Sequence, residues 1–281
     1  MIHRWGSPLL ALHLPRGVGA FLAASIVLGA GAYGAVKGEH VPELLAQLQD
    51  WRDAAGNAVG FRIAAVALTG QKQLTREEIL ASAGITGRSS LLFLDVAAAR
   101  ARLKANPWIA DATVRKFYPD RLQISVTERQ AFALWQKDGQ VSVISADGTV
   151  LERFVPRRFV TLPLVVGNGA ETRAKEFLAL VGRFPEISDA LSAGVLVAER
   201  RWNLHLKNGI DVRLPEDAPE QALATLVRLD NEKHLLSRDI TAVDLRLRDR
   251  VTVRLSDDAA QAREAAIKEK EKKVKRKGGE A

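Results

Sequence analysis

The sequence of 281 residues contains no cysteine. Disulfide bonds, zinc–thiolate sites and cysteine nucleophiles are therefore excluded. This absence does not decide the compartment, because cysteine-free proteins also occur in oxidising compartments. The apolar share of 47% is ordinary for a globular chain, so a sizeable core is expected, and the length suggests about two domains.

Familiar catalytic and cofactor motifs are missing as well. The five histidines form no HExxH or HxH pair, and no P-loop, GxSxG or SxxK motif occurs. A GxGxxG sequence at 29–34 lies inside an apolar run instead of joining a strand to a helix, so dinucleotide binding is not expected. We expect no catalytic activity, no cofactor, no metal site and no small-molecule substrate.

A strongly basic domain surface is also absent. The net charge is +8, but residues 268–277, KEKEKKVKRK, hold seven cations and two anions and so supply +5 of it. Nucleic acid is therefore not an expected partner. We expect residues 256–281 to form a basic tail, either a disordered end or a solvated, frayed helix, with attraction to an anionic surface such as phospholipid head groups as the alternative role.

What the sequence does contain is one long uncharged run, GVGAFLAASIVLGAGAYGAV, at 17–36. Twenty helical residues span about 30 Å, the thickness of a bilayer's hydrocarbon core. Basic residues precede the run, and acidic residues outnumber basic ones just after it, so residues 1–16 should be a short cytoplasmic N-terminus and the bulk of the chain should be periplasmic. We expect a membrane anchor; a signal peptide cleaved near Ala32-Tyr33-Gly34 is the alternative.

Residues 37–60 follow as a linker. Within it, PELLAQLQDWRD at 42–53 places Leu44, Leu45, Leu48 and Trp51 on one helical stripe. We expect this amphipathic connector to rest either on the membrane surface or on the next domain.

A small domain is predicted over 61–129. A β-rich run, 61–68, is followed by a helix that begins at a capping box of Thr75 and Glu78 and ends at Gly84. Asp95 caps a second helix over 96–105, and two strands, 108–117 and 121–128, form a hairpin across Tyr118-Pro119-Asp120. The order is β-α-α-β-β, in which two helices can cover one face of a three-stranded sheet.

These residues carry a resemblance. VALTGQKQLTREEIL followed by LKANPWIADATVRKFYPDRLQISVTERQAFALW is similar to a POTRA domain, and more narrowly to that of the FtsQ/DivIB family of bacterial cell-division proteins. The features that match are the Asn106-Pro107-Trp108 break, the Ala112-x-Val114 strand, the aromatic-Pro turn, and Glu128 running into Trp135. The resemblance extends over roughly 17–255.

Residues 130–255 are expected to form a second, strand-rich domain with a few helices. Hairpins are predicted at Asp147-Gly148 and at Asn208-Gly209, and amphipathic helices over 171–184 and 219–235. The family carries such a domain after its POTRA domain. The fold class is therefore α+β, with a single N-terminal transmembrane helix, a β-α-α-β-β POTRA domain and a second β-rich domain.

The resemblance implies a scaffold of the divisome in the bacterial inner membrane, concentrated at the septum. Such a protein recruits FtsB and FtsL, links early with late division proteins, and indirectly controls septal peptidoglycan synthesis by FtsW and FtsI. It also implies where FtsB binds, namely by adding a strand to the terminal strand of the second domain. The residues that this implies are Asp244, Leu245, Arg246, Leu247, Arg248, Asp249, Arg250, Val251, Thr252, Val253 and Arg254.

That terminal stretch, DLRLRDRVTVRL at 244–255, alternates polar and apolar residues as a half-buried strand does. Asp249 breaks the alternation, and Arg248-Asp249 lacks the Gly or Asn of a tight hairpin, so we expect a bulge or kink within one strand. An inner half, 242–247, would then join the sheet, and an outer half, 250–255, would be offered to the partner. Its arginines could meet acidic groups on the partner or guard the edge against self-association.

Two other kinds of protein stay open at this stage. A POTRA-containing component of transport or outer-membrane assembly should show several POTRA units or a barrel of many ten-residue strands, and the sequence shows neither. A periplasmic binding protein released by signal cleavage is the other alternative.

Overall fold

A computed structural model describes residues 41–247 and 249–277, together with positions 21, 23, 25, 26 and 29. Apart from those five positions, the predicted membrane segment lies outside the described residues, as do residues 1–16 and 278–281. Within the described part of the chain, no helix combines the length and the apolar character that crossing a bilayer requires. The chain forms two compact units: the described residues up to Leu103 with 112–126, and 104–111 with the described residues from 127 onwards.

The first unit has the predicted β-α-α-β-β order. Helix α1, Val41–Ala58, precedes it, and then come β1 (Ala65–Thr69), α2 (Arg76–Ala83), α3 (Val96–Ala105), β2 (Ile109–Phe117) and β3 (Arg121–Glu128). The three strands lie in the order β1-β3-β2, and β1 runs parallel to β3. Residues 104–111, which include the start of β2, group with the second unit.

Both predicted helix starts in this unit are confirmed. The Thr75 hydroxyl accepts a hydrogen bond from the Glu78 backbone at 3.3 Å, and the Glu78 carboxylate accepts one from the Thr75 backbone at 2.8 Å. Gly84 ends α2 in the left-handed region, with a φ of 71°. The Asp95 carboxylate accepts from the backbone N–H groups of Ala97 and Ala98. Each contact satisfies a backbone donor that a helix end leaves free.

The second unit is built on a nine-stranded sheet. In chain order its strands and helices are β4 (Ala131–Lys137), β5 (Gln140–Ser145), β6 (Val150–Glu152), β7 (Leu164–Val166), α4 (Ala170–Val181), α5 (Pro185–Ala190), β8 (Leu191–Val197), β9 (Arg201–Leu206), β10 (Asp211–Arg213), α6 (Pro219–Lys233), β11 (Ile240–Asp244), β12 (Thr252–Leu255) and α7 (Asp257–Lys277). The strands lie in the order β12-β11-β10-β9-β8-β7-β4-β5-β6. The hairpins predicted at Asp147-Gly148 and Asn208-Gly209 are both present as antiparallel pairs.

The main core of this unit lies where α4 and α6 contribute apolar residues against the sheet. Phe177 of α4 stacks on Trp202 of β9 with ring centroids 4.1 Å apart. Gly194 of β8 makes room for this stack, because a Cβ there would lie 2.2 Å from Phe177 Cε1. Leu223 and Leu226 of α6 are fully buried in the same cluster. The buried faces of both helices are those that their 3.6-residue periodicity predicts.

The C-terminal residues take the helical form of the two that were predicted for the tail. Residues 257–277 are helix α7 and are not a disordered end. The Ser256 hydroxyl caps it by accepting from the Ala259 backbone at 3.2 Å, and Asp257 and Asp258 in the first turn complement the helix dipole. Ala, Glu and Lys are strong helix formers, so this composition supports a helix even without a buried face.

Candidate partner-binding edge

Strand β12 is the terminal strand of the sheet, and β11 is its single neighbour in the strand order. The pair is antiparallel: Asp244 lies opposite Thr252, Val243 opposite Val253, and Ala242 opposite Arg254. The chain therefore reverses between Asp244 and Thr252. The expectation of one strand with a bulge or kink at 248–249 is therefore wrong. The predicted inner half, 242–247, belongs to the sheet only as far as Asp244, and the predicted outer half, 250–255, contains the separate strand β12 from Thr252 onwards.

The cause of the reversal is local chemistry at Asp244. Its carboxylate accepts a hydrogen bond from the backbone N–H of Arg246 at 3.1 Å. The Arg246 guanidinium donates hydrogen bonds to both carboxylate oxygens, at distances between 2.6 and 3.0 Å. An aspartate that bonds the backbone two residues on mimics a turn and ends a strand. The connection to β12 then takes seven residues, 245–251, so a tight turn with Gly or Asn is not needed.

Leu245 anchors the start of this connection. Its backbone N–H donates to the Arg213 carbonyl at 3.0 Å, and its side chain is only 4% exposed. Leu247, two residues on, is 56% exposed. The alternation that predicted one apolar face thus ends within two residues, because the chain leaves the sheet at that point.

Charges around the reversal are mostly paired within the chain. Besides Arg246, the guanidinium of Arg213 lies 3.8 Å from the Asp244 carboxylate. The hydrogen-bonded Arg246 guanidinium holds the pKa of Asp244 below its ordinary value. Arg250 pairs with its neighbour Asp249 at 2.9 Å. By contrast, Arg254 on β12 is exposed and makes no ion pair with any other residue that the structure describes, so of the described arginines in the predicted site it is the one available to an acidic partner.

The connection and α6 line an open groove of about 380 Å³, and its last lining residue along the chain, Val251, directly precedes β12. Its walls include Ala222, Thr225 and Leu229 of α6, and Leu245, Leu247 and Val251 of the connection; Asp249 and Arg250 also line it. The groove is therefore partly apolar, carries both signs of charge and lies next to a sheet edge. It can receive apolar side chains of an extended segment that pairs with β12.

The predicted site residues do come together at this end of the sheet, but in two roles. Thr252, Val253 and Arg254 form the edge strand and are exposed. The described residues between 244 and 251 form the reversal, and five of them line the groove: Leu245, Leu247, Asp249, Arg250 and Val251. Arg248 lies outside the described residues. The wall of the groove that α6 forms was not predicted, because the apolar pattern of α6 indicates only a helix packed on the core.

At its other end the sheet is bordered by β6. Glu152 of β6 accepts a hydrogen bond from the Trp108 indole at 3.3 Å, and Trp108 stacks on Phe159. Trp108 is only 7% exposed, so a small apolar cluster flanks that end. The two ends of the sheet are therefore dissimilar, and the exposed residues of β12 favour it as the docking edge.

No group of three or more His, Asp or Glu side chains in the described part of the chain could hold a metal ion. The closest pairing is His205 Nδ1 with Asp211 Oδ1, 2.8 Å apart on neighbouring strands. Both side chains are about half exposed, so they form a cross-strand pair on a solvated face.

Comparison with known families agrees with this architecture. The model of the FtsQ-type POTRA domain matches residues 61–129, and that of the C-terminal domain of cell division protein FtsQ/DivIB matches residues 133–246. The second match ends within the β11–β12 connection, so β12 lies beyond it.

Relatives that match most of the chain extend the similarity beyond residue 246. A cell division protein FtsQ of Bradyrhizobium diazoefficiens is 55% identical over 265 residues, which cover 94% of this chain and 78% of that protein. Proteins of the same name from Agrobacterium fabrum and Caulobacter vibrioides are 39% and 36% identical; each alignment covers 94% of this chain, and 81% and 89% of the respective relative.

Proposed function

Because the chain belongs to the FtsQ/DivIB family of bacterial cell-division proteins, we propose that it is a scaffold of the divisome and not an enzyme. It recruits FtsB and FtsL, and through them links early with late division proteins and controls septal peptidoglycan synthesis by FtsW and FtsI. Residues 17–36 anchor it in the inner membrane, with the N-terminus in the cytoplasm and both compact units in the periplasm.

The observation that carries this proposal is the exposed terminal strand β12 beside a partly apolar groove. A partner segment can add to β12 as a further strand. In a strand of four residues, about two residues turn their N–H and C=O groups to the open side, which allows up to about four hydrogen bonds of about 0.5–1.5 kcal/mol each. Since association must offset about 4–15 kcal/mol of lost translational and rotational freedom, the backbone ladder alone is too weak.

Side chains therefore have to supply the remaining affinity. The groove next to β12 accepts an apolar side chain of the partner, and Leu247, 56% exposed at its wall, is covered on binding. Arg254, which has no ion-pair partner among the described residues, faces an acidic group. We therefore expect the bound FtsB segment to combine an extended backbone with an apolar anchor and a carboxylate.

A proline scan across β12 tests the strand addition. Neighbouring N–H groups in a strand point to opposite sides, so proline at one position removes a bond to β11 and proline at the next removes a free donor. Among Thr252→Pro, Val253→Pro and Arg254→Pro, at least one variant should keep the circular dichroism spectrum of the wild type and yet lose FtsB binding in calorimetric titration. Proline at Val251 would not test strand addition, because Val251 lies in the connection before β12 and not in the strand itself.

Charge reversal tests the side-chain contribution. Arg254→Glu should weaken FtsB–FtsL binding about tenfold or more, since it replaces an attractive charge by a repulsive one. Arg115→Glu is the matched control, because Arg115 is likewise exposed on a strand, β2, but in the first unit. If both reversals weaken binding equally, or if every correctly folded proline variant binds normally, docking at β12 is refuted.

Localisation tests the scaffold role in the cell. A fluorescent fusion of the full chain should concentrate at mid-cell in dividing bacteria, and N-terminal sequencing should find residues 17–36 still attached. A uniform periplasmic signal together with a processed N-terminus would instead support a released binding protein.

A further inference from the structure

Helix α1 carries an apolar surface that the described residues leave uncovered. Leu48 is 66% exposed and Trp51 is 80% exposed. At 100° per residue these two side chains lie 60° apart, on adjacent turns of one face. The two side chains form a contiguous apolar patch, and such patches are a feature of protein and membrane contact sites.

The opposite face of α1 is fixed to the first unit. The Asn57 amide donates to the Arg88 carbonyl at 2.8 Å, and Gly56 is buried so closely against Ser90 that a Cβ would lie 2.5 Å from its hydroxyl oxygen. Helical spacing puts Asn57 roughly 150° around the axis from the midpoint of Leu48 and Trp51. Because of this attachment, the apolar face points away from the unit.

Two flanking contacts strengthen the attachment of α1 to the first unit. The Arg52 guanidinium lies 4.9 Å from the centroid of the Phe93 ring, and Asp50 lies 3.7 Å from Arg88. Together with Asn57 and Gly56, these contacts hold the last two turns of α1 in one orientation. The outward direction of Leu48 and Trp51 is thus set by the fold of the first unit.

The chain that precedes α1 indicates what this face meets. The uncharged run ends at residue 36 and α1 begins at Val41, so the residues between them can span at most about 18 Å. From Val41 to Trp51 the helix extends about 15 Å. If residues 17–36 span the bilayer, the apolar face of α1 is within reach of its periplasmic surface. Tryptophan is enriched at this membrane–water boundary.

We propose that α1 lies flat on the periplasmic surface of the bilayer, with Leu48 and Trp51 inserted at the boundary between head groups and acyl chains; this inference rests on the proposed membrane anchor. The contact is apolar in origin. Helix α1 contains three acidic residues (Glu43, Asp50 and Asp53) and one basic residue, Arg52, so anionic lipids do not attract it. Insertion should therefore not depend on salt.

A coiled-coil partner fits this face less well. Sustained pairing of helices needs about three to four heptads, whereas α1 has 18 residues. The residues that follow the stripe on the same face are Ala55 and Ala58, which offer little apolar surface. The first unit is, on this inference, held at the membrane in a fixed orientation by the face of a helix as well as by the anchor.

Single cysteines can test this without background, because the chain has none. Leu48→Cys carries a fluorophore on the apolar face. Ala46→Cys is the matched control: it is exposed, lies two residues away and points about 170° from the stripe. The full chain is reconstituted into phosphatidylcholine vesicles that contain lipids brominated near the head-group end of the acyl chain.

The label at position 48 should be quenched at least fivefold more than the label at position 46, equally at low and high salt. Native Trp51 should show the same quenching, measured as the difference between wild type and Trp51→Phe. Equal quenching at both positions would mean that α1 stands upright from the membrane. Protection of position 48 only when FtsB and FtsL are present, or disulfide-linked dimers of the unlabelled variant, would mean that protein covers this face. Each of these outcomes overturns the inference.

Carbonate extraction of the same vesicles reports on the anchor separately. Retention of the chain in the membrane with an unquenched label at position 48 overturns the placement of α1 alone. Release of the chain into the supernatant overturns the anchor, and the placement of α1 with it.

Discussion

Removing the Asp244 carboxylate should destabilise the end of the sheet at which we propose that the partner docks. Asp244 is 22% exposed and accepts hydrogen bonds from the Arg246 backbone and guanidinium, while Arg213 lies 3.8 Å away. Asp244→Ala thus removes the group that ends β11 and starts the reversal. It also leaves two guanidinium groups without their carboxylate.

The magnitude follows from burial and geometry. A hydrogen bond to a charged group stabilises a fold by about 1.5–3 kcal/mol when it is protected from solvent. Arg246 is 42% exposed, so solvent screens most of the ion pair itself. The hydrogen bond to the Arg246 backbone adds about 0.5–1.5 kcal/mol. We expect Asp244→Ala to cost about 1–2 kcal/mol, and a double-mutant cycle with Arg246→Ala to give a favourable coupling that is smaller than this cost.

The dependence on pH has a definite sign. Since Arg246 lowers the pKa of Asp244 in the folded state, the stabilisation is present above the ordinary carboxyl pKa and is lost as pH falls through the folded value. The advantage of wild type over Asp244→Ala should therefore be constant between about pH 5 and pH 7 and shrink below about pH 4.

Urea titrations of the detergent-solubilised full chain, followed by circular dichroism at several pH values, measure these differences. A coupling indistinguishable from zero, or a variant equally weakened at pH 3 and pH 7, would show that Arg246 does not stabilise the reversal through Asp244. The FtsB titration should then be repeated on Asp244→Ala, which we expect to bind more weakly because Asp244 fixes the start of the connection, whose first residue, Leu245, lines the groove.

Three further changes test the units separately. Gly194→Ala should cost about 2 kcal/mol or more, because the added Cβ would clash with the Phe177 ring, which is held by its stack on Trp202. Adding Phe177→Leu to this variant should recover part of the lost stability. Strictly additive effects of the two changes in urea titrations would contradict the clash. Thr75→Ala should cost about 1 kcal/mol through loss of the helix cap and speed amide exchange in the first unit only; faster exchange throughout the second unit would argue against a local effect. The pKa of Asp147 is lowered chiefly by the Ser145 hydroxyl and further by Arg129, but its side chain is 54% exposed, so Asp147→Asn should cost only about 1 kcal/mol at pH 7. Between pH 5 and pH 3 the thermal midpoint of this variant should fall less than that of the wild type, because the variant has no carboxylate to protonate. An equal fall in both proteins would refute the contribution of Asp147.

Local chemistry explains which features could be predicted from the sequence. The capping box at Thr75 and Glu78, the cap at Asp95 and the Asn208-Gly209 turn each depend on residues only a few positions apart. Such short-range hydrogen bonds and backbone preferences do not depend on the rest of the fold. Much of the order of elements in both units could therefore be predicted from short stretches of sequence.

The reversal after Asp244 shows what the sequence does not disclose. Alternation over 244–255 is compatible with one strand or with two short strands joined by a polar connection, and the deciding factor is a bidentate contact between Asp244 and Arg246. Gly and Asn are typical only of tight turns, and this connection is not one. The α6 wall of the groove was missed for a related reason: Leu229 becomes a site residue only because the connection folds back beside it.

The reversal also resolves a conflict inherent in a docking edge. An open strand that pairs with a partner can equally pair with a second copy of itself. Here β12 is only four residues long, and it follows immediately on a connection whose charges are largely paired. Two copies meeting edge to edge would bring Arg254 of each into the same ladder, where like charges repel. A partner with a carboxylate at that position and an apolar residue for the groove meets no such penalty, so the selectivity of the edge depends on Arg254 and the groove more than on the backbone ladder that any strand could extend.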